Sequence, residues 1–140
     1  MLTRVLFGAV ALWLGASCSA LADPMALDFS WQGAKGCVTL FPNPEIRISN
    51  VPANAKLLLL VLMQGGRELG GQELPMPADG VVPSGSIRTF GPCKPDMYRW
   101  TALAKSANGT VVAEAHRARF FPTDEPALEK SSPAAVTGSR

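Results

Sequence analysis

The hydrophobic pattern changes character several times along the chain, and each change marks an element. Residues 25–31 alternate and are rich in apolar side chains, ending on Phe29 and Trp31, so they predict a first strand. Gln32 to Gly36 reads as a turn, and residues 37–40 as a short strand. Pro42-Asn43-Pro44 makes a stiff connection. Residues 45–49 then alternate charge with isoleucine (Glu45, Ile46, Arg47, Ile48), the signature of a half-buried strand. After a turn around Pro52 comes Leu57-Leu58-Leu59-Leu60-Val61-Leu62-Met63. An apolar run of that length bounded by turn residues fits a strand at 56–64 covered on both faces. A helix is the alternative, because leucine favours it.

Between Gly65 and Pro92 the pattern breaks up. Gly65-Gly66, Gly70-Gly71, Pro75, Pro77, Gly80, Pro83 and Gly85 argue against any long element there. Short strands near 72–74 and 87–90 remain possible. The last segment is the clearest. Residues 98–107 and 110–121 flank Asn108-Gly109, a strong hairpin signal. A two-residue turn at that dipeptide places Tyr98 opposite Arg119, Trp100 opposite Arg117 and Asp96 opposite Phe121. It also sets Thr101 against His116 and Leu103 against Glu114. One face near the mouth of the hairpin then carries Asp96, Tyr98, Trp100, Arg117 and Arg119. A one-residue slip would dissolve that face. Short alternating segments with Gly and Pro between them, and no long helical period, predict a mostly-β sandwich with short or no helices.

The two ends of the chain look different. Arg4 precedes an apolar run at 5–16, and Ala20-Leu21-Ala22 offers a small-x-small cleavage site before Asp23. This predicts a signal peptide at 1–22 and a secreted, periplasmic protein. The run is shorter than the roughly 20 residues a membrane span needs, so no transmembrane anchor is expected. A lipoprotein reading would acylate Cys18, but Gly15 stands where a leucine would be expected. Residues 123–140 are polar, rich in Pro, Ser and Ala, and predict a disordered tail. The single folded domain is then 23–122.

Charge narrows the function classes. Removing 1–22 leaves 118 of the 140 residues and takes away only Arg4 from 13 basic side chains, against 11 acidic ones. A net charge of +1 gives no electrostatic footprint for nucleic acid. The two cysteines left, Cys37 and Cys93, predict one disulfide in an oxidising compartment. Two cysteines and one histidine spread over the chain do not make a zinc site.

The ordered set Phe29-Ser30-Trp31, Cys37, Pro44-Glu45-Ile46-Arg47, Asn50-Val51-Pro52-Ala53, Lys56-Leu57, Gly70-Gly71, Pro83-Ser84-Gly85, Gly91-Pro92-Cys93-Lys94-Pro95 and Tyr98-Arg99-Trp100-Thr101 is similar to the phosphatidylethanolamine-binding protein family. Bacterial members of that family are also called Raf kinase inhibitor-like proteins. The resemblance spans about residues 29–122. It implies a β-sandwich with a small pocket for anionic head groups such as phosphate. By position, Gln64 stands where the family's first pocket acid would be, and Leu69 where a histidine would be. Asp96-Met97-Tyr98 replaces His-Arg-Tyr, so Tyr98 alone is retained. The implied ligand-binding set is Gln64, Pro92, Asp96 and Tyr98, with Arg119 as a source of positive charge across the hairpin.

The remaining chemistry-bearing residues read as structural. There is no Cys-x-x-Cys pair, and His116 has no nucleophile with a visible partner. Gly65-Gly66 and Gly70-Gly71 lack the following Lys-Ser/Thr of a phosphate loop, and no cofactor motif appears. Arg117 and Arg119 over Tyr98 and Trp100 could bind an anion; the plainer reading is that they cover aromatic surface and pair with Asp96. No nucleophile–base pair or metal set can be assembled, so an enzyme is not expected. The sequence predicts a binding module for a small polar or anionic ligand. The alternative is a protein-interaction or inhibitor module using residues 65–83.

Overall fold

The structure, a computed structural model, describes residues 23–122. The signal-peptide segment, Cys18 and the tail at 123–140 lie outside the described residues. Among the described residues nine strands run in chain order: β1 (Ala26–Phe29), β2 (Phe41–Pro42), β3 (Ile46–Ser49), β4 (Leu57–Gln64), β5 (Arg67–Pro75), β6 (Val81–Val82), β7 (Arg88–Thr89), β8 (Asp96–Lys105) and β9 (Val111–Phe121). They form three antiparallel sheets, ordered β1-β3-β6, β2-β7 and β5-β4-β8-β9. There is no helix among the described residues, and hence none long and apolar enough to cross a membrane.

The leucine run is a strand, not a helix. It is paired on both edges, with β5 and β8. Its burial alternates. Leu58, Leu60 and Leu62 are fully buried, whereas Leu57, Leu59, Val61 and Met63 are half-buried. The expectation of cover on both faces is therefore corrected. One face packs into the core, and the other is shielded only by flanking side chains such as the Lys105–Glu73 ion pair. The core side is continued by Tyr98, Trp100, Ala102 and Ala104 of β8 and met by Leu27, Phe29, Ile46, Ile48 and Val82.

The glycine-rich stretch holds the largest surprise. Residues 67–75 form a nine-residue strand, not a loop with a short strand at 72–74. The Gly65-Gly66 pair is the hairpin turn, with Gln64 paired to Arg67 and Gly65 at φ 56°. The second glycine pair lies inside the strand, where a bulge lifts Leu69 out of register. Gly70 sits there at φ 139°, and a Cβ would come within 3.2 Å of Thr89. At Gly71 a Cβ would meet the Leu60 carbonyl oxygen at 2.8 Å. These glycines let backbone approach backbone instead of ending the element. The short strand expected at 37–40 is also displaced. Pairing starts at Phe41, because Cys37 is at φ 58° and its N–H is taken by the Pro92 carbonyl at 2.8 Å.

The terminal hairpin keeps the expected register from Asp96–Phe121 through Ala104–Ala113. Its turn is not the two-residue type. Lys105 pairs with Val111, the Gly109 N–H bonds to the Ser106 carbonyl, and only Gly109 is left-handed. The wider loop shifts the register by one, and a bulge next to Ala104 shifts it back.

Candidate functional site

Cys37 and Cys93 are bonded, with an S–S distance of 2.00 Å. The bridge ties the 36–39 segment to the run that leads into β8. Gly36 makes the close approach possible. A Cβ there would lie 2.9 Å from both the Phe121 ring and the Pro92 carbonyl oxygen. Beneath the bridge an aromatic cluster is centred on Trp31. Its ring meets Phe29 at 4.8 Å, Phe121 at 5.6 Å, Phe41 at 6.0 Å and Tyr98 at 6.4 Å, three of the four edge-on.

Above this floor an open hollow of ≈ 770 Å³ lies between the disulfide-bearing segments and the Gln64–Arg67 end of the four-stranded sheet. Its walls include Val38, Leu69 and Phe90, the two cysteines and Tyr98, with Gln64, Arg67, Thr39 and Lys94 as polar members. The lining holds two cations and no carboxylate. The Arg67 side chain makes no hydrogen bond or ion pair among the described residues.

The five residues expected at a site are not all together. Gln64 and Tyr98 both line the hollow. Tyr98 is buried, and its hydroxyl donates to the Lys94 carbonyl at 2.8 Å, fixing the loop that carries Lys94. Asp96 stands just behind, accepting from the Gln64 side-chain amide at 3.0 Å and from the Met97 N–H at 2.8 Å. These two bonds, with a smaller contribution from Lys94, hold its carboxyl below the usual aspartate range despite some desolvation. Pro92 is fully buried and contributes its carbonyl to Cys37.

Arg119 lies elsewhere. Opposite Tyr98 in register, its guanidinium turns to β1, 2.7 Å from Asp28, and rests over the Phe29 ring at 5.8 Å. Arg117 joins the same carboxylate at 3.3 Å. Burial pushes the Asp28 carboxyl up, but the Arg119 bond and both guanidinium charges outweigh it and leave it below its ordinary range. The arginines thus pair with Asp28, not with Asp96. On the outermost strand of the sheet, inward-facing charges of this kind discourage edge-to-edge association.

Arg67, Thr39 and Phe90 went unnoticed in the sequence. Arg67 became visible only once Gly65-Gly66 proved to be a tight turn, setting it directly across from Gln64. Among the described residues no group of three or more His, Cys, Asp or Glu is placed to hold a metal. Comparison of the chain with protein-family models, curated proteins and solved structures finds no match.

Proposed function

We propose that the chain is an exported, non-enzymatic binding module of the phosphatidylethanolamine-binding type, a β-sandwich that takes a small anionic ligand in the hollow beside Tyr98. The observation that carries the reading is the lining itself: Arg67 and Lys94 face an open cavity whose wall has no carboxylate. A phosphate-bearing group would gain charge-assisted bonds from both cations. Gln64 would add polar contact, and the apolar wall would shed water around them. The acid at position 96 is not part of the lining, but it stays ionised within hydrogen-bond reach of Gln64 and weakens the hold on an anion at that side of the hollow, so the charge of Arg67 and Lys94 has to outweigh it. The alternative is a protein-interaction module using residues 65–83, which here comprise the edge strand β5 and the turn-rich segment after it.

Thermal unfolding with inorganic phosphate and with phosphoethanolamine tests the reading. Ligand that binds only the folded chain raises the melting temperature, and at roughly a hundredfold excess over Kd it adds about 2.7 kcal/mol. Arg67→Ala with Lys94→Ala should abolish the rise while leaving the ligand-free melting temperature near its original value. No shift with either compound at roughly millimolar concentration would sink the proposal.

A further inference from the structure

The Cys37–Cys93 bridge holds two segments together, yet the fold does not enclose it. Both cysteines are exposed, and both line the hollow. Their neighbours Val38, Thr39 and Lys94 are exposed as well. The other side of the segment is closed, because Gly36 lies against the Phe121 ring and the Pro92 carbonyl. A reagent therefore meets the bridge from the hollow. Cys37 is also held at φ 58°, in the left-handed region that a non-glycine residue occupies at a cost. Opening the bridge lets that backbone relax. Exposed bridges exchange with other thiols more readily than enclosed ones.

We infer that the bridge is a thiol-exchange site for a small anionic thiol, whose acid group seats on Arg67 and Lys94 while its sulfur meets the disulfide. The inference rests on the anion-seating reading of the hollow and adds a covalent step to it. Both cations share one concave space with the two cysteines, and the Arg67 side chain has no partner among the described residues. Asp96 and Glu68 stand outside the lining, but Asp96 stays ionised beside Gln64. The acid group therefore belongs on the Arg67–Lys94 side. The ligand loses its thiol proton to water, and its thiolate attacks Cys37 Sγ. A new S–S bond joins ligand and Cys37, the Cys37–Cys93 bond breaks, and its electron pair leaves on Cys93 as a thiolate. Lys94, next in the chain, favours Cys93 as the leaving group, because a neighbouring cation lowers a thiol's pKa and a thiol of lower pKa leaves faster. A second equivalent of ligand thiolate then attacks the ligand sulfur, forming the ligand's own disulfide and releasing Cys37 as a thiolate. Two equivalents of thiol thus supply both electrons that reduce the bridge.

The test compares three thiols of similar size: mercaptoethanesulfonate, mercaptoethanol and cysteamine, whose thiolates are dianionic, monoanionic and net neutral. Bridge opening in the full chain is followed by acid quenching and intact mass, and peptide mapping separates the bridge from Cys18. Each variant's rate is divided by the wild-type rate for the same thiol, which cancels that thiol's own reactivity. Arg67→Ala should slow the sulfonate about tenfold and cysteamine less than about twofold, and about 1 M salt should remove the difference. Lys94→Ala should slow all three thiols, and Asp96→Asn should quicken the sulfonate. Mapping should find the sulfonate on Cys37. Overturning results are a bridge that stays closed in the folded chain, an equal effect of Arg67→Ala on all three thiols, or ligand attached to Cys93 instead. Any of these together with a melting temperature raised by inorganic phosphate keeps the binding reading and removes this one. Matching circular dichroism spectra check that each variant remains folded.

Discussion

Asn43 is the residue whose replacement should hurt most for its size. It is fully buried, and its side chain makes three hydrogen bonds. The amide nitrogen donates to the Pro44 carbonyl at 2.7 Å and the Pro83 carbonyl at 3.1 Å. The amide oxygen accepts from the Ile87 N–H at 2.8 Å. Its backbone adds bonds to Ile87, Gly85 and the Ser84 hydroxyl. One side chain thus clasps the 83–87 loop to the start of β3 and fixes the base of the β2-β7 ribbon. Asn43→Ala strands a buried N–H, at about 2 kcal/mol, and two partly buried carbonyls, at about 1 kcal/mol each. Carbonyls that reach water recover some of that, so the expected loss is about 3–4 kcal/mol. That is a large share of the roughly 5–15 kcal/mol of a typical domain.

Urea unfolding followed by tryptophan fluorescence reads the loss as a lower midpoint at unchanged slope. The melting temperature should fall by roughly 10 °C or more. Asn43→Asp should be worse at neutral pH, since it keeps the acceptor for Ile87 but sets a carboxylate against two carbonyl oxygens. A loss below about 1 kcal/mol for Asn43→Ala, with unchanged slope, would refute the reasoning, because it would mean that water replaces the amide at no cost.

Reducing the Cys37–Cys93 bridge, which closes a 56-residue separation, should cost about 4 kcal/mol of stability on the chain-entropy estimate, measured by urea unfolding with and without reductant. Asp28→Asn should cost about 0.5–1 kcal/mol at neutral pH, since the carboxylate is 60% exposed and its arginines are screened. Because the Asp28 pKa is lowered on folding, its contribution is present above the ordinary value of 3.8 and lost as pH falls through the lower folded value. The wild-type and Asp28→Asn stability curves should therefore converge in acid and separate above that range. Gly80→Ala should destabilise by about 2 kcal/mol or more, since Gly80 is at φ 71° and a Cβ would lie 2.3 Å from the Ile48 carbonyl oxygen. Gly66→Ala, with nothing within 4 Å of its Cβ, should stay within about 0.5 kcal/mol of wild type by thermal melting.

What the amino-acid order settled by itself is local or covalent. Alternation located β1, β3, β8 and β9, and the Asn108-Gly109 signal pointed to the pairing of Tyr98 with Arg119, which the hairpin keeps because the bulge next to Ala104 offsets its wider turn. Cys37 and Cys93 had only each other as partners within the folded segment. The rest depended on what comes near in space. Gly70 and Gly71 look like breakers to a reader of sequence, yet they are strand residues, since only Thr89 and Leu60 arriving from elsewhere make a missing side chain useful. Asn43 is one polar residue between two prolines until the 83–87 loop folds against it. Arg119 could have faced Tyr98's hollow or Asp28; two side chains 91 positions apart met, and the ion pair took it. The cations of the hollow, Arg67 and Lys94, come from segments whose proximity only the disulfide and the β4–β5 turn create. Strand periodicity is a property of neighbours in the chain, while a cavity is a property of neighbours in space.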